Sequence, residues 1–87
     1  MAFDEIEVTL TDHSIDRAMK RLGRLRNKSE HYFGETWLKE QATKAANHGY
    51  GKELTTDGFK IKLRFGKTEV TFVFVGKRGK VILKTVY

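Results

Sequence analysis

The sequence predicts an α+β fold: an N-terminal strand, two helices, and a C-terminal three-stranded antiparallel meander with both helices on one of its faces. Three observations predict it. Apolar residues recur at helical spacing in two stretches ahead of residue 50. From Phe59 onward the apolar period changes to two. Two glycine-containing turns, "GK" at 66–67 and "GKRG" at 76–79, then cut this last segment into three strands. Eighty-seven residues hold one domain, 1–87, with one modest core.

Each element follows in order. "EIEVTL" alternates, with Ile6, Val8 and Leu10 on one side, as a short half-buried strand does. Thr11 or Asp12 caps the first helix, which runs to about Leu22 and stops at Gly23, packing Ile15, Met19 and Leu22 against the sheet. Ser29 and Glu30 open a second helix. Phe33, Trp37, Gln41 and Ala45, with Leu38, Ala42 and Ala46, form its apolar stripe, and Asn47–Gly49 end it. "HGYGKELTTDG" reads as a loop.

In the first hairpin, "GK" is a type II′ turn with glycine first. Pairing Phe65 with Thr68 puts Leu63 opposite Val70, Ile61 opposite Phe72, Phe59 opposite Phe74, and Arg64 opposite Glu69. In the second, Val75 opposite Lys80 puts Phe74 opposite Val81 and Phe72 opposite Leu83. The other sheet face then carries Lys60, Lys62, Arg64, Glu69, Thr71, Lys80 and Lys84, over a floor of Val73, Val75, Ile82 and Val86. A slip of one residue at the second turn would exchange the faces of the last strand.

The net charge is +6, and its distribution is uneven. Residues 13–28 hold six bases against Asp16, and residues 58–87 hold eight against Glu69. Two basic blocks brought together by folding make the footprint of a polyanion partner, RNA above all. No apolar run approaches a membrane span, and no signal-peptide pattern follows Met1. With no cysteine, there is no disulfide framework and no thiolate metal site, which suits a cytoplasmic protein. "GKT" at 66–68 is not a P-loop, because Ile61 stands where the first glycine belongs and the motif sits in a hairpin. There is no dinucleotide fingerprint, no HExxH and no nucleophile elbow, and His13, His31 and His48 are scattered. No cofactor or metal is expected.

What remains is metal-independent phosphodiester chemistry. RNA carries its own nucleophile in the 2′-hydroxyl, so a proton acceptor, a proton donor and positive charge at the phosphate suffice. "TDHSIDRAMKRLGRLR" places His13, Arg17, Arg21 and Arg24 at steps of three and four, with Lys20 beside them. Histidine transfers protons near neutral pH, and a guanidinium matches two phosphate oxygens. Against this stands the plain reading of the same stripe as the solvated side of an amphipathic helix. Lys60, Lys62, Arg64 and Lys84 extend the basic surface onto the sheet, and Tyr87 offers a ring for stacking on a base. Tyr32 and Tyr50 are the other candidates for stacking, whereas Phe33 and Trp37 suit the core. "GKRGK" at 76–80 reads first as a solvated turn, with phosphate contact as its alternative.

"LTDHSIDRAMKRLG" resembles the opening of proteins of the RelE-like small toxin superfamily, in particular the DUF4258 type, in which a histidine begins the first helix and arginines follow. His13, Arg17 and Arg21 occupy those places, with Ser14 where alanine is usual. The ending "GKVILKTVY" is similar to the closing strand of that superfamily. The resemblance implies a toxin-like ribonuclease fold, often paired with an acidic antitoxin, with His13, Arg17 and Arg21 catalytic. It leaves the general acid unassigned, since no second histidine or glutamate is evident near the sheet. Two functions are therefore expected from the sequence: an RNA-binding endoribonuclease, or a non-enzymatic binder of nucleic acid or of a nucleic-acid enzyme, as phage-type inhibitors are.

Overall fold

The computed structural model describes residues 6–22 and 35–87. Gly23, Arg24 and the opening of the second helix from Ser29 through His31, Tyr32 and Phe33 lie outside the described residues. The elements are β1 (Val8–Leu10), α1 (Asp12–Leu22), α2 (Glu35–His48), β2 (Glu53–Leu54), β3 (Gly58–Phe65), β4 (Thr68–Lys77) and β5 (Lys80–Val86). Among the described residues this is an α+β structure with two helices and one five-stranded mixed sheet, ordered β1-β5-β4-β3-β2. The meander is thus widened at both edges. β1 joins it parallel to β5, with Val8 opposite Val81 and Leu10 opposite Leu83. The segment expected to be all loop contributes β2, which covers only Phe59 and Lys60 of β3. β1 is the strand expected from the alternation of Ile6, Val8 and Leu10, though alternation does not say which strand it joins; β2, at two residues, is too short to show an alternating pattern.

Thr11 is the cap of α1. Its Oγ1 accepts from the Ser14 N–H at 3.0 Å, and Ser14 Oγ accepts from the Thr11 N–H at 3.0 Å. This is a capping box with serine in place of the usual acid or amide. The Thr11 hydroxyl also faces the carbonyl oxygens of Leu83 at 3.1 Å and Lys84 at 3.2 Å, tying the helix start to β5. The buried stripe is Ser14, Ala18 and Leu22, with Ile15 half-buried beside it. Met19, expected in the core, is 44% exposed. Steps of four residues turn the contact line by only about 40°. The stripe through Ala18 is therefore as continuous as the one through Met19, and its small side chains let the helix lie closer to the strands.

The first hairpin has the expected register throughout, from Phe65 opposite Thr68 to Gly58 opposite Val75. Gly66, at φ 63°, makes its turn. Phe59 stacks on Phe74 with ring centroids 4.7 Å apart, and Phe72 lies 6.3 Å from both Phe65 and Phe74. Together with Val8, Ile61, Val70, Leu83 and Val86, with Ala18 and Leu22 of α1, and with Leu38, Ala42, Ala45 and Ala46 of α2, they make the core. Burying this apolar area is the main source of stability. At Gly58 the facing strand comes so near that an added Cβ would lie 2.0 Å from the Phe74 carbonyl oxygen.

The second hairpin departs from the expected register. Its two-residue turn is Arg78–Gly79, both at positive φ (50° and 77°), the signature of a type I′ turn. Lys77 faces Lys80, Val75 faces Ile82 and Phe74 faces Leu83, two residues from the expected pairing but with the same faces. Between Val73 and Phe74 the ladder shifts: Val73 faces Thr85 and Phe72 faces Val86, leaving Lys84 as the extra residue of a bulge. The bulge reverses the faces beyond it. Val86, expected on the open floor, is fully buried.

Two polar side chains close the end of α2. Asn47 accepts from the Ile6 N–H at 2.8 Å and donates to the Ile6 carbonyl at 3.0 Å, so its amide acts as a strand neighbour for the residue ahead of β1. Lys52 donates to the Ala46 carbonyl, one of those the helix end leaves unpaired, and its ammonium lies 5.0 Å from the centre of the Phe59 ring.

Candidate nucleic-acid interface

All buried apolar helix residues among those described join one cluster with the apolar face of the sheet, so the opposite face has no helix over it among the described residues. That open face is laid out in rows by the register. One row runs Glu53, Lys60, Val73, Thr85; the next runs Lys62, Thr71 and, beyond β5, Tyr87. Tyr87 belongs to the row because its backbone pairs with Thr71 in both directions, N–H to O, at 2.6 and 2.9 Å.

Around these rows lies an open cleft of about 410 Å³, lined chiefly by Tyr50, Glu53, Lys60, Lys62, Thr71 and Tyr87. Thr71 forms its buried floor. Tyr50 is 94% exposed and Tyr87 55% exposed, so both rings stand in solvent at the rim. Gly51, at φ 75°, turns the chain after Tyr50 back toward the sheet edge. Lys60 is 3.9 Å from Glu53, a loose ion pair worth little at this exposure, while Lys62 has no ion-pair partner among the described residues. The cleft therefore offers two ammonium groups, one of them free, and two aromatic faces. That is the residue mixture used to hold a phosphate backbone and stack its bases.

The other expected residues are placed as follows. Arg64 is on the open face, opposite Glu69 in register. Lys84 is the exposed bulge residue. His13, Arg17 and Lys20 are exposed on α1. Lys20 pairs with Asp16 at 3.2 Å, one turn back. Because α1 packs on the covered face, its polar stripe and the open face lie on opposite sides of the sheet, and Arg17 and Lys20 do not join the lysines of the open face in one surface. Among the described residues, Arg21 connects the two sides. The 40° drift per step of four carries it from the line of His13 toward the sheet. Its Nη2 donates to the Glu69 carbonyl at 3.1 Å. Thr71 makes a two-way pair with Tyr87, so Glu69, two residues earlier, points its carbonyl to the same side of β4. Arg21 satisfies that carbonyl.

No family model matches the sequence, and no curated protein or solved structure is similar to it at a significant level. Among the described residues no group of histidine and acidic side chains could hold a metal ion, and no helix is long and apolar enough to cross a membrane.

Alternation placed Lys60, Lys62 and Thr71 on the open face; Tyr87, expected only as a ring for stacking, reaches that face because the bulge reverses the parity of the end of β5. Sequence reasoning missed Glu53 and the placement of Tyr50 beside them, because β2 is too short to signal itself. The glycines either side of Tyr50 were the available hint of a bend there.

Proposed function

We propose that this protein binds single-stranded RNA on the open face of its sheet, as a small RelE-like protein. The observation that carries the reading is the cleft: two exposed tyrosines and two lysines converge on a sheet face that no described helix covers. Cations at that spacing hold phosphates, and each stacked base contributes about 1–3 kcal/mol as measured by alanine substitution. An acidic antitoxin or other acidic protein partner would compete for the same charges.

The test is fluorescence anisotropy with a labelled uridine oligomer. Binding should weaken steeply from about 50 to 200 mM salt, as counterion release requires. Lys62→Ala should lower the salt slope by about 0.7, one contact on a single strand. Tyr50→Ala and Tyr87→Ala should weaken binding at all salt concentrations. Salt-independent binding, or none at 50 mM, refutes the reading.

A cleavage reading goes with it, favoured by Arg21, which links the α1 stripe to β4 two residues from Thr71. RNA leaving the cleft past Glu69 would meet Arg21 and then Arg17, with His13 as the proton-transfer residue. Cleavage should then survive EDTA and leave a 2′,3′-cyclic phosphate, and His13→Ala should slow it by roughly 10²–10⁴-fold without weakening RNA binding. Full activity in that variant removes His13 from the mechanism. A wild type that binds RNA and cleaves none leaves the protein a non-enzymatic binder.

A further inference from the structure

The hairpin tip Lys77–Lys80 carries two features that disfavour the fold. Arg78 holds a left-handed backbone, at φ 50°, which suits glycine or asparagine far better than arginine. Lys77 and Lys80 stand directly opposite one another, a like-charge pair on neighbouring strands. All three side chains are exposed, and none has an ion pair among the described residues. The loop before β3 touches this end of β4 through the Gly76 N–H and the Asp57 carbonyl, at 2.9 Å. That contact is made by the backbone of Asp57, which forms no ion pair with the three cations. Strain of this kind, with no packing to repay it, marks a place where something outside the fold is recognised. A phosphate between the two lysines would turn their repulsion into attraction and draw in the guanidinium.

The register places this tip relative to the cleft. Lys77 and Lys80 have the same parity as Thr71, Val73 and Val75, so they share the open face with Lys60 and Lys62. Six residue steps along β4 lead from Thr71 to Lys77, about 20 Å at roughly 3.3 Å each. Between them, the row of Gly58, Val75 and Ile82 bears no charged side chain. The face thus runs from a cationic aromatic end, over an apolar floor, to a second cationic end.

We propose that the Lys77–Lys80 tip is a second phosphate grip for the same RNA strand, which lies extended along β4 from Tyr87 to Arg78. This rests on the RNA-binding reading above. The apolar floor takes the faces of the bases, and the two ends take the backbone. A stretch of about four nucleotides, the small end of known single-strand sites, is the class of ligand it fits.

The experiment compares the wild type, Lys62→Ala, Arg78→Gly and the triple variant Lys77→Ser/Arg78→Gly/Lys80→Ser. Anisotropy is read with a labelled twelve-nucleotide uridine oligomer at several salt concentrations, and melting temperature by circular dichroism. The triple variant should raise Kd at least about tenfold at low salt and lower the salt slope by about two, three contacts at about 0.7 each. Arg78→Gly should weaken binding while raising the melting temperature, a pairing of effects that a merely structural residue does not give. Because that variant is expected to be more stable, misfolding cannot imitate the result. If Lys62→Ala weakens binding but both tip variants bind as the wild type does, the second grip is overturned and the RNA-binding reading stands. If the wild type itself shows no salt-dependent binding, both fall.

Discussion

Hairpin β3–β4 and hairpin β4–β5 share a strand and differ in what their residues serve. In the first, eight consecutive pairs run unbroken from Phe65–Thr68 to Gly58–Val75, and the turn has glycine where positive φ is needed. In the second, an arginine occupies a left-handed position, two lysines close the turn, and the ladder slips at Lys84. The first has nearly every choice aligned with folding. The second gives up some of that agreement at its two ends, the solvent-facing tip and the bulge that meets α1. The contrast separates residues chosen for stability from residues whose presence needs another reason.

The largest way to break the comparison is at the strand the hairpins share. Phe72 faces Ile61 in one hairpin and Val86 in the other and is fully buried. Phe72→Ala should cost about 3–5 kcal/mol in urea denaturation, close to the whole stability of a small domain. Next is a test of the bulge. Val86→Ala should cost about 1.5–3 kcal/mol, while Thr85→Ala should stay within about 0.5. An unbulged strand requires the reverse order.

A smaller effect sharpens the link between bulge and helix. Thr11→Val should cost about 1–2 kcal/mol, because it removes both the cap and the hydroxyl facing Leu83 and Lys84. Thr11→Ser should restore most of it. The smallest expected change has the opposite sign. Arg78→Gly should stabilise by about 0.5–1 kcal/mol, several degrees in melting temperature for a domain of this size. A destabilised Arg78→Gly protein would mean the arginine belongs to the fold after all.

How far the structure was legible follows from pattern length. The first hairpin was readable because apolar pairs, the Arg64–Glu69 pair and the turn chemistry all demanded one register. The bulge left a trace that alternation alone overlooked: Val81 and Leu83 are two apart, but Leu83 and Val86 are three apart. That extra residue is Lys84 or Thr85. On α1, Ala18 and Met19 offered competing stripes, and packing distance decided for the smaller side chain. Of the candidate site, Lys60 and Lys62 lie together as alternation requires, whereas Tyr87 joins them through the bulge, which alternation does not show. His13 and Arg17 lie across the sheet from them, a consequence of packing α1 on the apolar face that blocks of charge along the sequence do not show. Tyr50 is positioned by β2, and β2 by its pairing with β3, a tertiary fact.

The parallel pairing of β1 with β5 bears on how the chain assembles. Thr11 reaches Leu83 across 72 positions, whereas each of the two hairpins closes through a two-residue turn. Closing so long a loop is entropically unfavourable and slow compared with zipping a hairpin. The three-stranded unit β3–β5 should therefore form first and present β5 as a template, with β1 docking late. The late arrival is held by three pairs on β5 and by the Asn47 amide at Ile6. In native-state hydrogen exchange, the amides of Val8–Leu10 should open by local release at a lower free energy than those of Phe72 and Phe74, which should exchange only when the whole domain unfolds.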